Sequence, residues 1–122
     1  MKTCVFNGDN LPSTLHIGLY SNNNIIGVVS FFKNTHKTIF GPNQYQLRGM
    51  AVLEEFQGRG LGTKLLKFGE NILKEKNIDI VWCNAREIAV PFYNKNNYKT
   101  TGEPFTIQSI GIHYVMCKPL GT

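Results

Sequence analysis

No apolar run in this chain approaches the ~20 residues that a membrane-spanning helix needs. The opening MKTCVFNGDN likewise lacks the apolar segment of a signal peptide. Both absences set the expectation of a cytoplasmic protein with no membrane partner. Cysteine is scarce: Cys4, Cys83 and Cys117 are three in number, far apart, and at no metal-ligand or redox-pair spacing. No disulfide and no metal are expected, and Cys83 and Cys117, inside apolar strand-like runs, read as small core residues. Repeats and low-complexity segments are missing too. Acidic residues are few, eight against thirteen Lys and Arg, for a net charge of +5. That balance favours an anionic ligand. The lysines are scattered, with no block of five or more, so nucleic acid is an unlikely partner and a phosphorylated small molecule explains the charge equally well. At 122 residues the expectation is one domain, 1–122.

What is present centres on Met50 to Lys74, MAVLEEFQGRGLGTKLLKFGENILK. It reads as the end of an apolar strand, a glycine-rich turn and an amphipathic helix. From Leu61 the apolar positions Leu65, Phe68, Gly69, Ile72 and Leu73 keep helical spacing. Gly58, Gly60 and Gly62 lie where strand gives way to helix. A helix start carries unpaired N–H groups and the positive end of the macrodipole, so a glycine-lined start is an anion site. Arg59 and Lys64 add charge beside it. A tight strand-to-helix turn explains the glycines equally well. No Gly-Lys-Ser/Thr follows, which excludes a P-loop, and the interval is not that of the dinucleotide fingerprint.

Taken in order, residues 1–14 read as irregular, with turn chemistry at Gly8-Asp9-Asn10 and Pro12-Ser13. Leu15–Tyr20 and Ile25–Lys33 read as a hairpin about the Ser21–Asn24 turn. A loop through Gly41-Pro42-Asn43 leads to a strand over Gln44–Leu53, whose alternation breaks beside Gly49 and so predicts a bulge or a strand covered on both faces. The helix follows from about Gly60 to Glu75, with Glu70 and Lys74 paired at i,i+4 on its polar face. Ile78–Asn84 reads as a strand, made parallel to the preceding one by a right-handed crossover. A short helix over Ala89–Asn94, a left-handed stop at Asn96-Asn97, and strands at Phe105–Ile107 and His113–Lys118 complete the chain. The fold class is α/β, a mixed α+β sheet with antiparallel strands before one β-α-β crossover.

Gln57-x-x-Gly60-x-Gly62, preceded by Met50-Ala51-Val52, resembles the acetyl-CoA signature Q/R-x-x-G-x-G/A of the GNAT N-acetyltransferase superfamily. Ala89 to Tyr98, AVPFYNKNNY, resembles that family's A-x-x-F/L-Y-x-K-x-G-F segment, with Ala89, Phe92, Tyr93, Lys95 and Tyr98 in step. The likeness covers about residues 15 to 118, corresponding to the second to seventh strands of such a domain. It departs at Asn97, where the family has glycine, and at Arg86, where the family often has asparagine; Asn84 lies two residues earlier. About fourteen residues precede the first hairpin, where the family usually has a first strand and one or two helices that wall the acceptor site. An open cleft, or one covered by a second copy in a homodimer, is the corresponding expectation.

The resemblance implies acetyl-CoA as cosubstrate, an amine as acceptor, and direct attack in a ternary complex. It implies that backbone groups of Met50, Ala51 and Val52 pair with the pantetheine arm. Gln57, Gly58, Arg59, Gly60, Leu61, Gly62 and Thr63 would cradle the pyrophosphate, with Phe92 and Asn84 also contacting the cofactor. Tyr93 resembles the tyrosine that protonates the departing thiolate. The base is open: Gln44–Val52 holds no carboxylate, leaving His113 or Glu103, and His113 equally reads as a structural histidine. His16 and His36 read as structural or solvated, and Glu54 and Glu55 as solvent-facing. Two other classes fit part of this pattern: a non-catalytic acyl-CoA-binding module on the same fold, and a basic nucleic-acid binder.

Overall fold

The computed structural model describes residues 1–6 and 13–121, and its corners are set largely by asparagine. Asn22 and Asn23 take φ of 51° and 70° between β2 (Leu15–Ser21) and β3 (Asn24–Lys33). That left-handed pair suits a two-residue hairpin, because its twist matches the strands it joins. Asn77 (φ 63°) ends α1 (Leu61–Glu75), and Asn97 (φ 73°) follows α2 (Val90–Lys95). Asparagine tolerates this region better than other side chains. The expected stop at Asn97 is therefore observed.

The remaining strands are β1 (Lys2–Phe6), β4 (Gln44–Val52), β5 (Ile80–Arg86), β6 (Lys99–Ile107) and β7 (Gly111–Pro119). They form one seven-stranded sheet in the order β1-β2-β3-β4-β5-β7-β6. The mixed α+β architecture is as expected, with β4 and β5 parallel across α1 and the other neighbours antiparallel.

Three expectations need correction. Residues 1–14 are not all irregular: β1 pairs with β2 from Lys2↔Tyr20 to Phe6↔His16, so the sheet does have a strand outside the first hairpin. Five residues at a sheet edge carry too little alternation to be seen from sequence. Of the turn expected there, residues 8–10 and 12 lie outside the described residues. Second, β6 begins at Lys99 rather than near Phe105; its first six residues, KTTGEP, are polar edge strand with a register shift between Thr101 and Phe105. Third, Glu70 is buried rather than solvated. It accepts hydrogen bonds from Tyr98 Oη (2.7 Å) and from Lys118 Nζ (2.8 Å), tying α1 to β7.

The core lies between α1 and the sheet, with Leu65, Leu66 and Leu73 packed over Ile17, Val29 and Phe31. α1 approaches closest at Gly69, where an added Cβ would sit 2.2 Å from Phe31 Cε1. Gly69→Ala therefore has a definite sign. The ~1 kcal/mol gained in helix propensity is outweighed by overpacking, which costs about 1–3 kcal/mol. Urea unfolding should show a lower midpoint with an unchanged slope; a raised midpoint would refute the close packing.

One feature of the sheet positions the site. β4 pairs with β5 only at Gln44↔Ile80, Tyr45↔Val81 and Gln46↔Trp82. Against β3, the register shifts between Val28 and Ser30, so Val29 faces both Gly49 and Met50, and Gly49 has φ 67°. This is the bulge expected at Gly49, and a bulge bends its strand. Beyond it β4 stays with β3 while β5 stays with β7, and the sheet splits.

Candidate active site

Two adjoining cavities open at that split, sharing Met50 and Gln57. The first is a groove of about 490 Å³ between the end of β4, the glycine loop, the start of α1 and α2. Gly60 caps α1 in the left-handed region (φ 75°), and as a glycine it gives the first N–H groups no side-chain cap. Those amides are therefore available to a ligand. Gly58 is also left-handed (φ 79°), and its Cβ position, like that of Gly60, faces open space. The first turn of α1 holds no acidic residue, so no carboxylate of its own first turn neutralises its positive end. Gln57 Nε2 donates to the Val52 carbonyl (2.9 Å), folding the loop back on β4. On the far wall, an added Cβ at Gly62 would lie 3.3 Å from the Phe92 ring, and Asn96 Nδ2 donates to Thr63 Oγ1 (3.3 Å). Glycine at 62 is thus what lets α2 lie against α1.

Met50, Ala51, Val52, Gln57, Gly58, Gly60, Leu61, Gly62, Thr63 and Phe92 all border this groove. Arg59 does not. Its guanidinium lies 5.2 Å from the Phe56 ring centroid, and Nη2 donates to the Glu55 carbonyl at 3.4 Å. Lys64 is exposed on α1 and does not border the groove either. Lys95 does, and sequence reasoning noted it only as a motif match.

The second cavity is a cleft of about 840 Å³ between the splayed strands. Asn84, Tyr93 and His113 border it, so three expected site residues converge there, with Asn84 in this cleft rather than in the groove. Tyr93 is buried, its ring 5.1 Å from that of Phe92 and 5.5 Å from that of Tyr98. Burial, then the neighbouring Cys83 thiol and a hydrogen bond to it, push the phenol above its ordinary value. Burial pushes Cys83 itself up to about 12, so it is a neutral thiol at physiological pH.

His113 is buried beside Phe105 (5.6 Å between ring centroids), with Nδ1 3.0 Å from the Gly111 carbonyl. A carbonyl oxygen only accepts, so Nδ1 carries the hydrogen and, in the neutral ring, Nε2 keeps its lone pair. Glu103, the other candidate base, is exposed on β6 and does not border the cleft. His16 bonds Ser30 Oγ (2.7 Å) and His36 packs on Trp82 (4.8 Å); both lie outside the cleft.

Arg48 and Arg86 also border the cleft, and none of its described lining residues is acidic. Arg48 lies with its guanidinium 5.6 Å from the Phe32 ring centroid. Arg86 follows Asn84 by two residues on β5, which puts both on one face. That i,i+2 spacing was the available signal for Arg86. Among the described residues no group of His, Cys, Asp and Glu converges as a metal site, and no helix is long and apolar enough to cross a membrane.

Residues 4–98 match the model of the acetyltransferase (GNAT) family. The whole chain is 35% identical to the uncharacterized N-acetyltransferase YitI of Bacillus subtilis (strain 168), covering 82% of it. In fold it is similar to the aminoglycoside 6'-N-acetyltransferase from Enterococcus faecium, with TM-score 0.80 and 12% identity over 98% of this chain and 97% of that one. It is also similar to an aminoglycoside 6'-N-acetyltransferase complexed with coenzyme A, with TM-score 0.76 and 14% identity over 89% and 74% of the two chains. At such identities these two likenesses bear on fold alone.

Proposed function

This chain belongs to the GNAT acetyltransferase family, and from that premise we propose that it transfers the acetyl group of acetyl-CoA to the amine of a small acceptor that also bears an anionic group. The observation that carries the reading is the meeting, at one split in the sheet, of a groove lined by the glycine loop and the start of α1 and a cleft lined by Tyr93, His113 and two arginines.

The groove fits the donor. Unpaired amides at the start of α1 suit phosphate oxygens, open space at Gly58 and Gly60 lets them approach, and Met50, Val52 and Phe92 offer an apolar wall to the pantetheine arm. When bound, acetyl-CoA supplies a thioester carbonyl for attack and a thiol leaving group. In the cleft, Nε2 of His113 takes the proton that the acceptor amine must lose to become a nucleophile. Tyr93, kept protonated by its burial, donates to the departing sulfur.

Charge selects the acceptor. A cleft with two arginines and no acidic lining pairs with a carboxylate or phosphate, and guanidinium does so bidentately. Aminoglycosides, the substrates named for the two fold neighbours, are polycations and would meet like charge here. Thiol release from acetyl-CoA should therefore be fast with small amines bearing a carboxylate or phosphate and negligible with polyamines. Arg48→Gln and Arg86→Gln should each raise the KM of such an acceptor about tenfold or more, with the KM of acetyl-CoA nearly unchanged. Preferential turnover of polycations would overturn the acceptor assignment. Acetyl-CoA binding without thiol release by any amine would favour the non-catalytic module instead.

A further inference from the structure

We propose that Lys95, the last residue of α2, supplies the cationic side chain that pairs with the donor's pyrophosphate; the inference rests on the reading of the groove as the acetyl-CoA site. A diphosphate held by helix-start amides carries charge that amides alone do not neutralise. The glycine loop offers Arg59 for that task, but Arg59 does not border the groove: its guanidinium packs on Phe56 and reaches the Glu55 carbonyl, whereas Lys95 lines the groove directly. Lys95 borders the groove and is exposed. No described carboxylate forms an ion pair with it.

Its place along the groove follows from how α2 docks. The Phe92 ring lies over Gly62, and one turn later Asn96 Nδ2 reaches both Thr63 Oγ1 (3.3 Å) and the Phe92 carbonyl (2.9 Å). Phe92 and Asn96 thus clasp the first turn of α1 from both ends of one turn of α2. Lys95 precedes Asn96 in this clasp and lines the same groove as Gly60, Leu61, Gly62 and Thr63 at the start of α1. The inner end of the groove, at Met50 and Ala51, is left for the neutral pantetheine arm. Because Lys95 is exposed, its contribution should weaken as salt is raised.

Calorimetric titration of the wild type, Lys95→Gln and Lys95→Arg with CoA and with dephospho-CoA tests this. Both ligands keep the pyrophosphate, and only CoA has the ribose 3′-phosphate. The expected result is about tenfold weaker binding of both ligands by Lys95→Gln. Lys95→Arg should restore most of the loss, and the salt dependence should be shallower in Lys95→Gln. Equal affinities of wild type and Lys95→Gln would overturn the proposal, as would a loss confined to CoA, which would assign the lysine to the 3′-phosphate. Binding of neither ligand by the wild type would instead bring down the reading of the groove itself.

Discussion

His113→Asn is expected to lower kcat by about 10²–10⁴-fold, the usual contribution of a positioned general base, while acetyl-CoA affinity stays nearly constant. Asparagine is chosen because its side-chain amide can still donate to the Gly111 carbonyl, which Nδ1 of His113 reaches at 3.0 Å. The structural role of the ring is then largely kept and its second nitrogen removed. The neutral imidazole has one donor and one acceptor nitrogen, and the carbonyl claims the donor. What remains is an acceptor nitrogen on a buried ring bordering the cleft between β4 and β5. If His113 were only structural, this variant would retain turnover, or would lose it together with stability and cofactor affinity. A selective loss of kcat, partly rescued by added imidazole, identifies the base. Near-normal turnover removes it from the mechanism.

Tyr93→Phe should lower kcat by about 10²-fold, again with little change in acetyl-CoA binding. The ring contacts with Phe92 and Tyr98 survive the change, so packing is conserved and what is lost is the proton donor and its hydrogen bond to Cys83. The pH dependence has a definite sign. Burial raises the phenol above its ordinary value of ~10, so the protonated, donating form persists to higher pH than in an exposed tyrosine. Loss of this proton should not depress wild-type kcat below about pH 10. Cys83 does not stand in for it: its thiol, pushed up to about 12 by burial, is no better placed to titrate. A falling limb near neutral pH that disappears in Tyr93→Phe would contradict the assignment of a buried, neutral phenol.

The glycine loop and its helix were legible because the two signals overlap: helical spacing from Leu61 and left-handed backbone at Gly58 and Gly60. Asn97 was legible for a similar reason, since one residue type answers one backbone need. The bulge at Gly49 showed as a break in alternation, yet its consequence, the parting of β4 from β5, depends on which strands pair and is not a local property. Other features were hidden because tertiary contacts decide them. Gln44 sits on the polar side of an alternating strand, but the 34–43 loop buries it through bonds to the Ile39 and Gly41 carbonyls. Glu70 falls at a surface-like helical position and is drawn inward by Tyr98 and Lys118, 28 and 48 residues away in sequence. Lys95, rather than the expected Arg59 and Lys64, borders the groove because side-chain direction, not sequence distance from the glycines, decides which cation meets it.

Calorimetric titration with acetyl-CoA, wild type beside Gly60→Glu, decides whether the glycine loop holds the donor. Gly60 sits at φ 75°, a conformation that side-chain-bearing residues rarely adopt, and glutamate there would place a negative charge at the anion site. Circular dichroism on the same samples would show that both are folded. One acetyl-CoA should bind per wild-type chain, and binding should be abolished in the variant. Wild-type protein that binds no acetyl-CoA, or a folded Gly60→Glu protein that binds it equally well, would contradict that expectation.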